Sequence, residues 1–134
     1  MDDIQLFRIL GSISRKATTE MNGLVRDLGL DNNLFLYLLR IAENEGLNQV
    51  DLSNLLQIDK TTLSRGLKKL EVLGYIEKRT DPENKKYKQL FTTIKGNEAA
   101  KVVANLESDY VNSSLKELNQ ADKNKLAQIL SNIS

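Results

Sequence analysis

The stretch that decides the fold runs from Asn48 to Gly96 and reads NQVDLSNLLQIDKTTLSRGLKKLEVLGYIEKRTDPENKKYKQLFTTIKG. Its pattern predicts a short helix, a tight turn, a basic helix, and two short strands around a charged tip that holds the chain's single proline. A helix, a turn and a helix followed by a two-stranded hairpin make a winged helix-turn-helix. We therefore predict a mainly α fold with a small β wing.

Local signals predict where these two helices begin and which residues they bury. Asn48 and Asp59 are expected to cap them, because short polar side chains accept hydrogen bonds from the free backbone N–H groups of a first turn. Gly66 is expected to let a neighbouring element approach closely, and Gly74 to end the basic helix. The positions expected to face inward are Val50, Leu52, Leu55, Leu56, Leu63, Leu67 and Leu70.

The remaining face of the basic helix and the hairpin carry hydroxyl groups and cations. Such side chains bind phosphate oxygens and base edges, so we predict contact with double-stranded DNA. A plain surface helix with solvated lysines is the alternative, and the turn before the helix and the hairpin after it favour DNA binding. The predicted DNA-binding residues are Lys60, Thr61, Thr62, Ser64, Arg65, Lys68, Lys69, Lys85, Lys86 and Lys88.

Charge is distributed unevenly along the chain although its net value is only +1. Residues 60–95 contain ten bases and four acids, whereas the rest of the chain contains nine bases and fourteen acids. A basic part joined to an acidic part favours a localised site for a polyanion. The alternative is an ordinary solvated surface that happens to be uneven.

Several classes of protein are excluded by residues that the chain lacks. Without cysteine or histidine it has no disulfide, no thiolate site and no imidazole base or metal ligand. No pair of acids stands in a catalytic context, so we predict no enzyme, no catalytic residue, no metal and no cofactor. The apolar runs are too short to span a membrane, and the first twenty residues lack the order of a signal peptide. A cytoplasmic protein without membrane contact is expected.

Broad apolar stripes mark the two ends of the chain. A long amphipathic helix is predicted to end near Gly29, and a second helix is predicted from a cap at Asp31 to Gly46. Thr93 is expected to cap a long helix, and Asn119 with Asp122 a last one. Terminal helices that stay apolar on one face favour a homodimer, because unpaired they would expose a large apolar patch. The alternative is that they pack on each other within one chain.

In this layout the chain resembles the multiple-antibiotic-resistance regulator (MarR) family of bacterial transcription factors. The most telling matches are LSNLLQIDKTTLSRGLKKLEVLGYIEKR at 52–79, Asp81-Pro82 at the start of the wing tip, and Thr93 followed by Gly96. The resemblance extends over the whole chain. It implies one domain, 1–134, in which dimerisation helices at 1–30 and 97–134 flank a DNA-binding lobe at 31–96.

The resemblance also implies that Asp59 to Leu73 is a recognition helix in the major groove and that the wing tip lies near the minor groove. The family often has an acid followed by arginine at the tip, whereas this chain has Asn84-Lys85-Lys86. Lysine provides charge without the planar fork of arginine, so mostly phosphate contacts are expected there. Thr92 replaces an apolar residue of the family and is expected to loosen the packing of the wing.

By the same resemblance we expect a homodimeric repressor of a pseudo-palindromic operator, released by a small aromatic effector in a cleft beside the DNA-binding lobe. The candidate walls of that cleft are Phe7, Phe35, Tyr37 and Tyr110, for each of which a core role is the favoured alternative. Two other functions stay open. One is a winged helix that binds a protein partner, and the other is a protein that coats DNA without sequence preference.

Overall fold

Six α-helices and one two-stranded antiparallel sheet make up the chain, and the computed structural model describes all of its residues, 1–134. The elements are α1 Asp3–Leu24, α2 Leu34–Glu43, α3 Gln49–Leu56, α4 Lys60–Val72, β1 Ile76–Thr80, β2 Lys88–Thr92, α5 Ile94–Ser114 and α6 Gln120–Ile133, with a 3-10 turn at Arg26–Leu28 after α1. The predicted winged helix-turn-helix is therefore confirmed. None of the helices is long and apolar enough to cross a membrane.

Four of the five predicted helix caps are present. The side chains of Asn48, Asp59 and Thr93 accept hydrogen bonds from the backbone N–H three residues further on, at 2.8, 3.0 and 2.9 Å. Asn119 and Asp122 cap α6 reciprocally. These caps were predictable because donor and acceptor lie within one turn of each other.

The cap predicted at Asp31 is wrong. Helix α2 begins one residue after Asn33, which has a left-handed backbone with φ of 68° and makes no side-chain cap. The backbone N–H of Asn33 instead donates to the side chain of Asn22 on α1 at 2.9 Å, and the two side-chain amides bond each other at 3.0 Å. The start of α2 is therefore held by a helix that lies eleven residues earlier in the chain.

The core forms around α2, whose apolar residues lie on almost every side. These residues of α2 pack against the inward leucines of α4 and against the face of α5 that carries small residues. The last turn of α1 adds to the same core. The fully buried residues include Phe35, Leu38, Leu52, Leu63, Leu67, Leu70 and Val103. The inward prediction for α4 is confirmed, but that for α3 is wrong at Leu55, which is 53% exposed. The spacing of Leu55 along α3 is that of its apolar face, yet no other element of the chain covers this side chain.

Two glycines allow close approaches in this core. A Cβ at Gly66 would lie 2.3 Å from Cε2 of Tyr37, so α4 packs directly on that ring, as predicted. A Cβ at Gly96 would lie 1.8 Å from the backbone carbonyl oxygen of Tyr75. The first turn of α5 therefore rests on backbone, which cannot rotate away as a side chain can.

The wing is bound at its base to the loop between α2 and α3. Leu90 on β2 accepts a hydrogen bond from the N–H of Gly46 at 2.8 Å and donates to the carbonyl of Leu47 at 2.9 Å. The carboxylate of Glu45 accepts bonds from the N–H of Thr92, at 3.1 Å, and from its hydroxyl. The expected loosening at Thr92 is therefore not observed, because its hydroxyl has a carboxylate partner that an apolar residue would lack.

Both terminal helices leave apolar side chains uncovered. No residue of α6 is buried, and Leu126, Ile129 and Ile133 are each at least 39% exposed. On α1, Phe7 and Ile13 are 63% and 62% exposed. The alternative in which the two ends cover each other within one chain does not hold, since these faces remain open.

Candidate nucleic-acid interface

All ten predicted DNA-binding residues are exposed. Helix α4 buries Leu63, Leu67 and Leu70, and the 3.6-residue period then turns Thr61, Arg65 and Lys68 to the opposite side. The helix thus presents a continuous polar stripe to solvent. Whether each residue contacts DNA stays a prediction.

The candidate cations are also free of ion pairs within the chain. The chain's three ion pairs are Arg40–Glu43, Lys78–Glu71, whose Nζ and Oε1 atoms are 3.0 Å apart, and Arg79–Glu77. None of the seven candidate cations takes part in any of them. Because a surface cation without an acidic partner gives up no ion pair when it turns to a phosphate, this set is well suited to a polyanion.

Three of the ten bases in residues 60–95 instead interact with other groups of the chain. Lys78 and Arg79 are neutralised by the ion pairs above, and the guanidinium of Arg79 also lies 4.2 Å from the ring centre of Phe91. Lys95 donates to the carbonyl of Leu73 at 2.7 Å and lies over the ring of Tyr75. None of the three was predicted as a DNA contact, and the sequence alone did not show that they were occupied.

Helix α4 is held at its angle by the turn that precedes it. Gln57 has a left-handed backbone with φ of 56°, which reverses the chain after α3. The hydroxyl of Ser53, a buried residue, donates to the carbonyl of Ile58 at 2.9 Å across this turn. Ser53 is a positioning residue that the sequence analysis missed, since a serine in a short polar helix gives no signal of its own.

The N-terminus of α4 carries a charged cap at neutral pH. Hydrogen bonds from the hydroxyl and the backbone N–H of Thr62 lower the pKa of Asp59. The hydroxyl of Thr62 donates its only hydrogen to that carboxylate, at 2.9 Å, so it can only accept further hydrogen bonds. Thr61 and Ser64 have no such internal bond and keep a donor for phosphates or bases.

Clefts of different character lie on the two flanks of α4. On one flank the structure brings Lys60 together with Lys86 and Lys88 of the wing around a cleft of about 270 Å³. On the other flank a cleft of about 180 Å³ lies between α4 and the start of α2. An open groove of about 610 Å³ continues from there along Arg65, Lys68 and Lys69.

The four aromatic residues proposed for an effector cleft lie in different surroundings. Phe35 and Tyr37 are buried in the core, Tyr110 is half-buried on α5, and Phe7 is exposed on α1. The clefts beside Phe7 and beside Tyr37 are separate. Within one chain the structure does not bring these residues together, and their role in binding a ligand stays a prediction.

Comparison with known proteins places this geometry in a family. The MarR family model matches residues 30–88. A structure of a protein assigned to that family from Listeria monocytogenes, solved with a 26-mer DNA, is 37% identical, with a TM-score of 0.91 over 99% of this chain and 87% of that one. The chain belongs to the MarR family of winged helix-turn-helix transcriptional regulators. Membership confirms the resemblance and the prediction that the chain is not an enzyme.

Two curated relatives extend the comparison. The HTH-type transcriptional regulator YybA of Bacillus subtilis is 44% identical over 96 residues, which cover 72% of this chain and 63% of that protein, less than two thirds of its length. The transcriptional repressor MprA of Escherichia coli is 26% identical over 129 residues, which cover 95% of this chain and 73% of that protein.

Proposed function

We propose that this MarR-family chain binds double-stranded DNA as a homodimer and represses transcription from a pseudo-palindromic operator. The observation that carries the proposal is the set of seven cations without ion pairs that extends from the outer face of α4 to the wing. The Listeria relative solved with DNA supports binding to a duplex, and the name of MprA supports repression. A cytoplasmic location stays a prediction.

The proposed dimer rests on the uncovered apolar faces of the two terminal helices. Residues 1–30 and 97–134 would supply the interface, and residues 31–96 would form the lobe that meets DNA. Two-fold symmetry would place two α4 helices about one duplex turn, roughly 34 Å, apart. Binding a palindrome with two helices raises both affinity and sequence selectivity over one helix alone.

The test is fluorescence anisotropy with the intergenic DNA upstream of the chain's own gene, across a salt series and with random duplex as competitor. We expect saturable binding by two chains per duplex that resists the competitor. Log affinity should fall with log salt at about 0.9 per phosphate contact. Binding without preference would favour the DNA-coating alternative, and no binding at low salt would favour a protein partner.

Arg65→Ala is expected to weaken binding to the preferred duplex by about 1–3 kcal/mol and to relax sequence preference, as for a base-edge contact. Arg65 stands in the middle of the exposed stripe of α4, where a side chain reaches furthest into a groove. Titrations against preferred and random duplexes measure the effect, with Arg40→Ala on α2, a cation paired with Glu43 and outside the predicted DNA-binding set, as the control. Equal losses on both duplexes would make Arg65 a phosphate contact.

Replacing Lys85 and Lys86 together with alanine is expected to weaken all duplexes alike and to flatten the salt slope. Both side chains are exposed at the wing tip and form no ion pair in the chain, so thermal stability should not change. The slope of log affinity against log salt should decrease by about 0.9 for each phosphate that the variant no longer binds. An unchanged slope would show that the wing does not contact DNA.

Release of DNA by a small aromatic effector is a separate proposal that the family resemblance implies. A ligand would act only by binding the form of the dimer that is incompetent for DNA more tightly than the competent form. Calorimetric titration with small aromatic and phenolic acids, in the presence and absence of the bound duplex, tests it. Equal affinity in both conditions would remove the effector from the mechanism.

A further inference from the structure

The hydroxyl of Tyr37 is a polar group that the folded chain leaves without a partner. The residue is only 4% exposed, and its ring packs on Gly66 of α4. By contrast, the hydroxyl of Tyr75 donates to the carbonyl of Leu28 at 2.6 Å. The chain has no fully enclosed side-chain polar atom without a partner, so the Tyr37 hydroxyl must reach the surface. Tyr37 is thus a buried residue whose hydroxyl is a free hydrogen-bond donor.

Tyr37 lines a cleft of about 180 Å³ between α4 and the start of α2. Its other walls include Asn32, Thr62, Arg65 and Lys69. The two cations form no ion pair within the chain. Because Thr62 donates its hydrogen to Asp59, the lining residues that keep a free donor are Tyr37, Asn32 and the two cations. A group with several acceptor oxygens and negative charge fits these donors.

The cleft also lies where a DNA strand would pass. Lys60, beside the wing, and Lys69, beside Tyr37, stand on opposite flanks of α4. A helix in a major groove, which is about 12 Å wide, has one phosphate backbone on each side. If the wing flank meets one strand, the Tyr37 flank faces the other.

We infer that the Tyr37 hydroxyl and the Lys69 ammonium together bind one phosphate of the DNA strand opposite the one that the wing contacts. The inference rests on the proposed DNA binding and adds to it a contact from outside the helix-turn-helix and the wing. Burial and, secondarily, the negative charge of Asp59 raise the pKa of Tyr37, so the phenol stays a proton donor at neutral pH. The carboxylate of Asp59 is engaged by Thr62.

The first test compares Tyr37→Phe with Lys69→Ala on preferred and random duplexes across a salt series. Tyr37→Phe should weaken both duplexes about tenfold, the effect of losing one hydrogen bond to a charged group. Its salt slope should stay that of the wild type, because a neutral hydroxyl displaces no counterion. Lys69→Ala should lower the slope by about 0.9. Tyr75→Phe is the matched control: its hydroxyl donates to the carbonyl of Leu28 inside the chain, so its loss should affect folding stability and should not remove a DNA contact.

Unfolding in urea separates this role from a structural one. Since the Tyr37 hydroxyl has no partner in the free chain, Tyr37→Phe should unfold at the wild-type urea midpoint. A lowered midpoint with a matching loss of DNA binding would overturn the inference, because the tyrosine would then act by supporting α4.

The second test replaces single phosphates of a bound duplex with neutral methylphosphonates. The penalty of Tyr37→Phe should disappear at one phosphate in each half-site, on the strand that the wing does not contact. A penalty that persists at every position would overturn the phosphate contact. Wild-type affinity of Tyr37→Phe would also overturn it and leave the proposed function intact, whereas a wild-type protein that binds no duplex would overturn both.

Discussion

Gly96→Ala is expected to destabilise the folded chain by about 3 kcal/mol, a loss that a small domain tolerates poorly. The added methyl group would lie 1.8 Å from the carbonyl oxygen of Tyr75, so α5 or β1 must shift to accept it. Either shift would disturb the joint between the wing and the helix that follows it. Urea unfolding followed by circular dichroism at 222 nm measures the change.

Gly23→Ala is the matched control for this variant. Gly23 lies in α1, and a Cβ at that position meets nothing within 4 Å. Alanine has the higher helix propensity, so this change should stabilise the chain by about 0.5–1 kcal/mol. A loss of stability for Gly96→Ala and a gain for Gly23→Ala would confirm that position 96 requires glycine because of close packing. Equal midpoints for Gly96→Ala and the wild type would show that α5 is not seated on Tyr75.

The double substitution Ile129→Asp with Ile133→Asp is expected to separate the proposed dimer and to lower affinity for the preferred duplex at least about a hundredfold. Two charges would have to be buried at the interface, which is far costlier than leaving them in water. A monomer would keep one α4 on DNA and approach the affinity of non-specific binding. Sedimentation velocity and anisotropy measure the two effects.

The fold of each chain should survive this change, because α6 buries none of its residues. Ile94→Asp is the matched control, since Ile94 is an exposed isoleucine outside the terminal helical faces. The control should sediment as the wild type does. A double variant that still sediments as a dimer would place the interface elsewhere on the molecule.

The sequence predicts best those features whose partners are close along the chain. Caps at Asn48, Asp59 and Thr93, and the inward leucines of α4, follow from spacings within one or two turns. The start of α2 could not be predicted in this way, because its N–H group is satisfied by Asn22 on another helix. The hydrogen bond between Glu45 and Thr92, 47 residues apart, could equally not be predicted from local spacing.

The candidate interface shows the same division. Helical periodicity places Thr61, Arg65 and Lys68 on the exposed side, and the structure has them there. It does not tell which bases of the stretch are neutralised, since Lys78 finds Glu71 only when β1 packs beside α4. Nor does an aromatic residue on an apolar helix reveal that it lines a cleft together with Lys69, which depends on how closely Gly66 lets the two helices approach.

The attachment of the wing bears on how the proposed repressor would release DNA. Glu45, Gly46 and Leu47 hold β2 by side-chain and backbone bonds, so the base of the hairpin is tied to the loop between α2 and α3. The wing is also joined to α4 by the ion pair between Lys78 and Glu71. In the proposed dimer, a signal that releases DNA would therefore act on the distance or angle between the lobes of the two copies, which the terminal helices would set.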